Sequence, residues 1–375
     1  MSSVLPLERD SILKRAVELA ASDLILTAGQ PVMITVAGVL QPMPGVPALT
    51  AADSRQLSES FLTPALHERF LLDLELDTRY DLPGIAHFRV NLFIQRGQWG
   101  AAIRIIPVRI PLPAELGLAV HVVTRVLSLT RGLVLVTGPT GAGKSTTIAS
   151  LLEQVNNSGT RRHIVTVEDP IEFIFESKNS VFEQREVGTD TKTYARGLRG
   201  ALRQLPHIIF VGEMRDLSSM AIALTAAETG NLVISTMATQ SAAQTVSRII
   251  DSFPPYQQAQ VRSQLALSLR AVISQVLLPR ADGKGRVAAR EIMFVNQAIQ
   301  NLIREDKVHQ IPNVISTSLR EDMVSLDDSL VELVDRGQIT FEAAYPYFED
   351  VEKRTTLQKR FYRVASVPEP SARRS

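Results

Sequence analysis

The sequence has no cysteine among its 375 residues. That excludes disulfides, thiol nucleophiles and cysteine-ligated zinc. Aromatic residues are scarce, at 5%, and neither sign of charge dominates: 40 Lys and Arg stand against 39 Asp and Glu, a net charge of +1. A binder of nucleic acid that relies on a basic stripe and stacking aromatics has little to work with here, and no nucleic-acid partner is expected. Long apolar runs are also missing. No stretch approaches the roughly 18 residues that span a bilayer. The opening MSSVLPLERDSILKRAVELA carries early charges and no uninterrupted apolar core, so it does not read as a secretory leader. What remains is an ordinary globular composition, 45% hydrophobic and 21% charged. The chain is long enough for two domains and its own cores. The expectation is a cytoplasmic protein.

Residues 8–21 place apolar side chains at helical spacing. Two β-rich runs, Leu24–Thr27 and Val32–Val36, follow with a turn at Gly38. Residues 53–73 read as helix. From Leu74 to Ile106 the pattern is strand-like, with Phe88, Val90, Leu92 and Ile94 alternating against Arg89, Asn91 and Phe93. The first 106 residues therefore predict a mixed α/β domain. Pro107, Pro111 and Pro113 then crowd residues 107–117, which read as an extended linker. Beyond it the pattern changes. A helix over about 118–129 precedes apolar strands at Leu133–Val136, Ile164–Val167, Ile208–Val211 and Leu232–Ile234, with helical stretches between them. Short, continuously apolar strands alternating with helices predict a buried, largely parallel sheet. Residues 255–278 and 296–348 read mainly as helix. A second domain thus covers 118–350, followed by an extension, 351–375, whose last dozen residues are expected to be disordered.

The strongest local signal is GPTGAGKST, comprising Gly138, Pro139, Thr140, Gly141, Ala142, Gly143, Lys144, Ser145 and Thr146. It fits the phosphate-cradling pattern G-x-x-x-x-G-K-[ST], with an apolar strand before it and a helical pattern after it. Glycines let the backbone curl so that its N–H groups converge on phosphate oxygens at a helix N-terminus. Lys144 would reach the β- and γ-phosphates and the Ser145 hydroxyl would hold Mg²⁺, so ATP and Mg²⁺ are the expected ligands. Hydrolysis also needs a carboxylate to orient water. Glu168, in IVTVEDPIEF, and Glu213, in HIIFVGEMRD, stand just past the carboxyl ends of predicted strands. Open α/β sheets bind ligands at that edge.

Taken in order, GPTGAGKST, TVEDPIEF, QREVG, LRQLPHIIFVGEMRD, LTAAETGNLV and AIQNLIRE resemble the PilT/PilU twitching-motility ATPases of the type II/IV secretion ATPase superfamily. The likeness runs from about residue 10 to 345. It implies an N-terminal PAS-like domain, a RecA-like P-loop ATPase domain and a homo-oligomer, a ring of six. Such a ring would work at the cytoplasmic face of the inner membrane, on a pilus platform protein and beside a possible PilT-like paralogue. It also implies that Glu213 is the Walker B glutamate and that Glu168 supports the metal and water. Arg89 and Arg104 fall where N-terminal-domain arginines face nucleotide in related ATPases, and an arginine there neutralises charge on the γ-phosphate. Most strand arginines on a surface are only solvated, and both readings stay open for these two.

Departures from the family pattern keep other functions open. Ala238 stands where a histidine is usual, and Leu205 and His207 replace two acids. A retraction ATPase is the main expectation. The alternatives are a nucleotide-binding ring subunit with little turnover and a pilus-extension or type II secretion ATPase. Many of the latter carry a tetracysteine zinc module, which a chain without cysteine does not have.

Overall fold

The computed structural model describes residues 6–36, 38–107, 109–318 and 321–365. The chain forms two compact units, Met1–Ile110 and Pro111–Ser375. The boundary falls inside the proline-rich stretch, whose prolines cannot donate to a ladder.

The first unit runs α1 (Arg9–Glu18), β1 (Ala21–Leu26), β2 (Met33–Val36), β3 (Val39–Pro42), α2 (Ala51–Glu59), α3 (Pro64–Asp73), β4 (Glu75–Leu82), β5 (Ala86–Gln95) and β6 (Gln98–Pro107). Its six strands form an antiparallel sheet in the order β3-β2-β1-β6-β5-β4. The alternation seen in the sequence becomes burial: Phe88, Val90 and Leu92 are fully buried, and the intervening Arg89 and Asn91 turn outward. The helix predicted over 53–73 is two helices. Thr50 caps α2 in a reciprocal capping box with Asp53, and Thr63 caps α3, whose first residue is Pro64. A proline fits the first turn but not a helix interior, so one continuous helix through Pro64 was never available.

The second unit runs α4 (Val120–Leu127), β7 (Gly132–Thr137), α5 (Lys144–Asn157), β8 (His163–Glu168), β9 (Val181–Glu186), α6 (Tyr194–Ala201), β10 (Ile208–Val211), α7 (Leu217–Thr229), β11 (Leu232–Met237), α8 (Ala242–Asp251), α9 (Pro255–Ser268), β12 (Leu269–Pro279), β13 (Arg286–Phe294), α10 (Gln297–Arg304), α11 (Ile311–Thr317), α12 (Leu326–Asp335), α13 (Phe341–Ala344) and α14 (Val351–Ala365). Its seven strands lie in the order β13-β12-β7-β11-β10-β8-β9, and only β13 is antiparallel to its neighbour. Every residue of β7, β10 and β11 is buried, as expected of strands covered on both faces.

Residues 255–278 are not one helix. The helix stops at Ser268, and Leu269–Pro279 is β12, parallel to β7 and antiparallel to β13. The run LRAVISQVLL is buried on both faces, so it shows neither a period of 2 nor one of 3.6. In the C-terminal extension, α14 buries Leu357 in a cluster with Leu330, Phe341 and Phe348. Lys353 and Arg360 pair with Asp328 and Asp335 of α12 at 2.6 and 2.8 Å. Of the tail expected to be disordered, RVASVPEPSARRS, residues 363–365 belong instead to α14, which corrects that expectation, and 366–375 lie outside the described residues. No helix among the described residues is long and apolar enough to cross a membrane.

Candidate active site

The phosphate loop leaves the carboxyl end of β7 and opens α5. Gly138 has φ +144°, and a Cβ there would meet the carbonyl oxygen of Gln275 at 2.2 Å. Only glycine fits that contact. Gly143 caps α5 at φ +81°, in the left-handed region. Pro139, Thr140 and Gly141 are exposed, Ala142 is buried, and Lys144, Ser145 and Thr146 are half-buried. Lys144 Nζ donates to the carbonyls of Gly138 (2.9 Å) and Pro139 (3.0 Å). Partial burial lowers its pKa, and the Glu213 and Glu172 carboxylates oppose that shift. The lysine and Glu213 therefore feel each other's charge.

A residue that the sequence reading missed holds the loop from below. Gln275, on β12, donates to the Ala142 carbonyl at 2.6 Å and accepts from Thr147 Oγ1 at 3.0 Å. Arg290, 6% exposed on β13, donates to the same Gln275 amide oxygen (3.4 Å) and to the Leu116 carbonyl (2.7 Å). Burial depresses its pKa to about 10. Beside this brace is a cavity of ≈ 500 Å³ lined by Leu116, Gly143, Thr146, Arg280, Arg290 and Gln338. Reading β12 as helix hid the brace. The residue types alone gave no signal, and only the β7–β12 pairing brings them under the loop.

Glu168 ends β8 and Glu213 follows β10, its neighbour in the sheet. Glu168 is 5% exposed, and burial raises its pKa to about 7. Gln184 Nε2 donates to it at 3.3 Å, and the Glu172 backbone also hydrogen-bonds to it. Glu213 is more open, and Arg215 Nε donates to its Oε2 at 2.7 Å. Two carboxylates on adjacent strand ends thus differ in kind, one pushed towards its protonated form by burial and the other paired with a guanidinium.

Arg89 and Arg104 belong to the other unit and face each other across the β5–β6 ladder. Arg104 Nε is 3.0 Å from Asp23 Oδ1, and Arg89 Nε is 3.9 Å from Asp77 Oδ1. The structure brings the two arginines together, and each has a carboxylate of its own sheet at hand. Among the departures, Ala238 is exposed one residue past β11, at the phosphate-loop edge of the sheet. Leu205 and His207 precede β10, at the opposite edge. Leu205 is 84% exposed, and His207 Nδ1 accepts from the His163 backbone N–H at 3.0 Å.

Residues 118–344 match the family described as Type II/IV secretion system protein. The chain is 48% identical to the type IV pilus retraction ATPase PilT of Pseudomonas aeruginosa, over 86% of this chain and 93% of that one. It is 44% identical to a twitching motility protein of Neisseria gonorrhoeae, over 83% of each. Among solved structures, the pilus retraction motor PilT with bound ADP superposes with a TM-score of 0.85 at 43% identity, covering 92% of this chain and 98% of that one.

Proposed function

The chain belongs to the Type II/IV secretion system protein family, alongside its PilT-type members, and from that premise we propose that it hydrolyses ATP to retract a type IV pilus and so drive twitching motility. One observation carries the chemistry. A phosphate loop on a fully buried parallel strand sets Lys144 within electrostatic reach of Glu213, with the buried Glu168 on the adjoining strand.

The loop's N–H groups and the α5 N-terminus would take the phosphates, and Lys144 would turn from two carbonyls to the β- and γ-phosphate oxygens. Among the described residues no group of three or more His, Cys, Asp or Glu could hold a metal. The half-buried Ser145 hydroxyl at the start of α5 would hold Mg²⁺ together with phosphate oxygens and waters. Bound there, the ion would offset negative charge on the phosphates. Glu213 orients the water and Glu168 supports that shell. Base and ribose would lie in the ≈ 500 Å³ cavity beside Thr146. Arg89 or Arg104 of a neighbouring subunit would complete the site in a hexameric ring. That ring would act at the inner face of the cytoplasmic membrane on a platform protein, with domain rotation as its output.

Steady-state hydrolysis of Mg-ATP, with Glu213→Gln as the blank, tests this. Turnover at least roughly 100-fold above the blank is expected. Turnover equal to the blank with ATP still bound overturns the motor reading in favour of a nucleotide-binding ring subunit.

A further inference from the structure

Between β9 and α6 the chain delivers to the carboxyl edge of the sheet a side chain that no motif singles out. Tyr194 is the first residue of α6, and Thr193 caps that helix by accepting from the Arg196 N–H at 3.1 Å. The tyrosine is half-buried, and its hydroxyl lies over Gly212, the residue between the end of β10 and Glu213. A Cβ built on Gly212 would come within 2.9 Å of the Tyr194 hydroxyl and 3.3 Å of the Glu168 Cα. The hydroxyl therefore packs on the face of the sheet where β8 and β10 end, near the candidate carboxylates. Asp169, Arg215, Glu213 and Glu168 all act on it electrostatically. Burial first, and these carboxylates next, push its pKa up. It remains an O–H donor at any working pH. Among the described residues, no protein group hydrogen-bonds to it. A half-buried hydroxyl without a protein partner, beside the candidate carboxylates, is free to donate to a water held there.

We propose that the Tyr194 hydroxyl holds the attacking water of ATP hydrolysis, donating to one lone pair of its oxygen while Glu213 accepts one of its protons. This rests on the ATPase reading above. A water molecule has two protons and two lone pairs, and the other lone pair is then free to point at phosphorus. In the step, the water oxygen bonds to the γ-phosphorus and the bond from phosphorus to the β,γ-bridging oxygen breaks. The electron pair leaves with ADP, and one water proton passes to the Glu213 carboxylate. Tyr194 neither gains nor loses a proton. It fixes the direction of attack, a positional contribution of the kind that a small misplacement forfeits.

The test compares the full-length wild type, Tyr194→Phe, Gly212→Ala and the double variant. It measures kcat for Mg-ATP, the affinity for a fluorescent ATP analogue and the melting temperature. Phenylalanine keeps the ring, so Tyr194→Phe should lower kcat roughly 10- to 100-fold with affinity and melting temperature unchanged. Gly212→Ala presses a methyl to 2.9 Å from the hydroxyl and should lower kcat similarly, and the double variant should be little worse than either single one. Unchanged kcat in Tyr194→Phe overturns the proposal alone. So do multiplicative losses in the double variant, and so does a kcat loss that comes with lost melting temperature, which marks a packing role. Wild-type turnover no higher than Glu213→Gln overturns the ATPase reading and this proposal together.

Discussion

The two edges of the seven-stranded sheet are built from the same strands and do opposite work. At the carboxyl edge β7, β8, β10 and β11 release the phosphate loop, Glu168, Glu213 and Ala238. Glycine is compulsory there at Gly138, and ionisable groups are buried or braced. At the amino edge β10 is preceded by an exposed Leu205 and a histidine that accepts from a backbone N–H. The lesson is that a departure from a family pattern is weighed by its edge. Leu205 and His207 lie where no site residue stands, whereas Ala238 lies where the chemistry would be.

The comparison breaks most sharply at Gly138. Gly138→Ala would force a Cβ to 2.2 Å from the Gln275 carbonyl at a φ of +144°. We expect loss of ATP binding and a stability loss of roughly 3 kcal/mol, from overpacking and backbone strain together. Near-normal nucleotide binding by this variant would show that the loop is not held as described.

The pH dependence of Glu168 sharpens the contrast. Its folded pKa is raised from 4.5 to about 7, so the folded state keeps the proton longer than the unfolded chain does. Its contribution is most favourable below pH 4.5 and is lost as pH rises towards 7. Glu291 is raised to about 7 as well, again chiefly by burial, and adds a slope of the same sign. Glu168→Gln should remove its part of the decline, of order 3 kcal/mol across that window. Denaturant unfolding of both proteins at pH 5 and pH 7.5 reads the difference, and identical slopes would contradict the burial argument.

The smallest effect belongs to the amino edge. Leu205→Asp should leave both kcat and the unfolding midpoint close to wild type, within about 0.5 kcal/mol, because the residue is exposed and touches no site group. A tenfold fall in turnover would mean that this edge is coupled to the site.

Much of the second unit was legible before any coordinates. β10 matches the predicted run Ile208–Val211, and β7 and α5 flank the phosphate loop as the pattern required. Those segments declare themselves through continuous apolar runs and through glycines that only one backbone path explains. β12 did not, because a strand buried on both faces looks like a buried helix when it follows one. Gln275 and Arg290 were lost with it. Tyr194 was invisible for another reason: its place over Gly212 depends on how the chain after β9 returns to the sheet.

The sequence alone thus determined the phosphate loop, the parallel core and the two carboxylates, because local backbone demands and apolar periodicity are written residue by residue. The tertiary structure alone decided that burial raises the pKa of Glu168 while Glu213 pairs with Arg215. It also decided that Gln275 braces the loop and that Arg89 faces Arg104. Burial, register and strand order join residues far apart in the chain, and no local pattern encodes the low-dielectric surroundings or the partners that result.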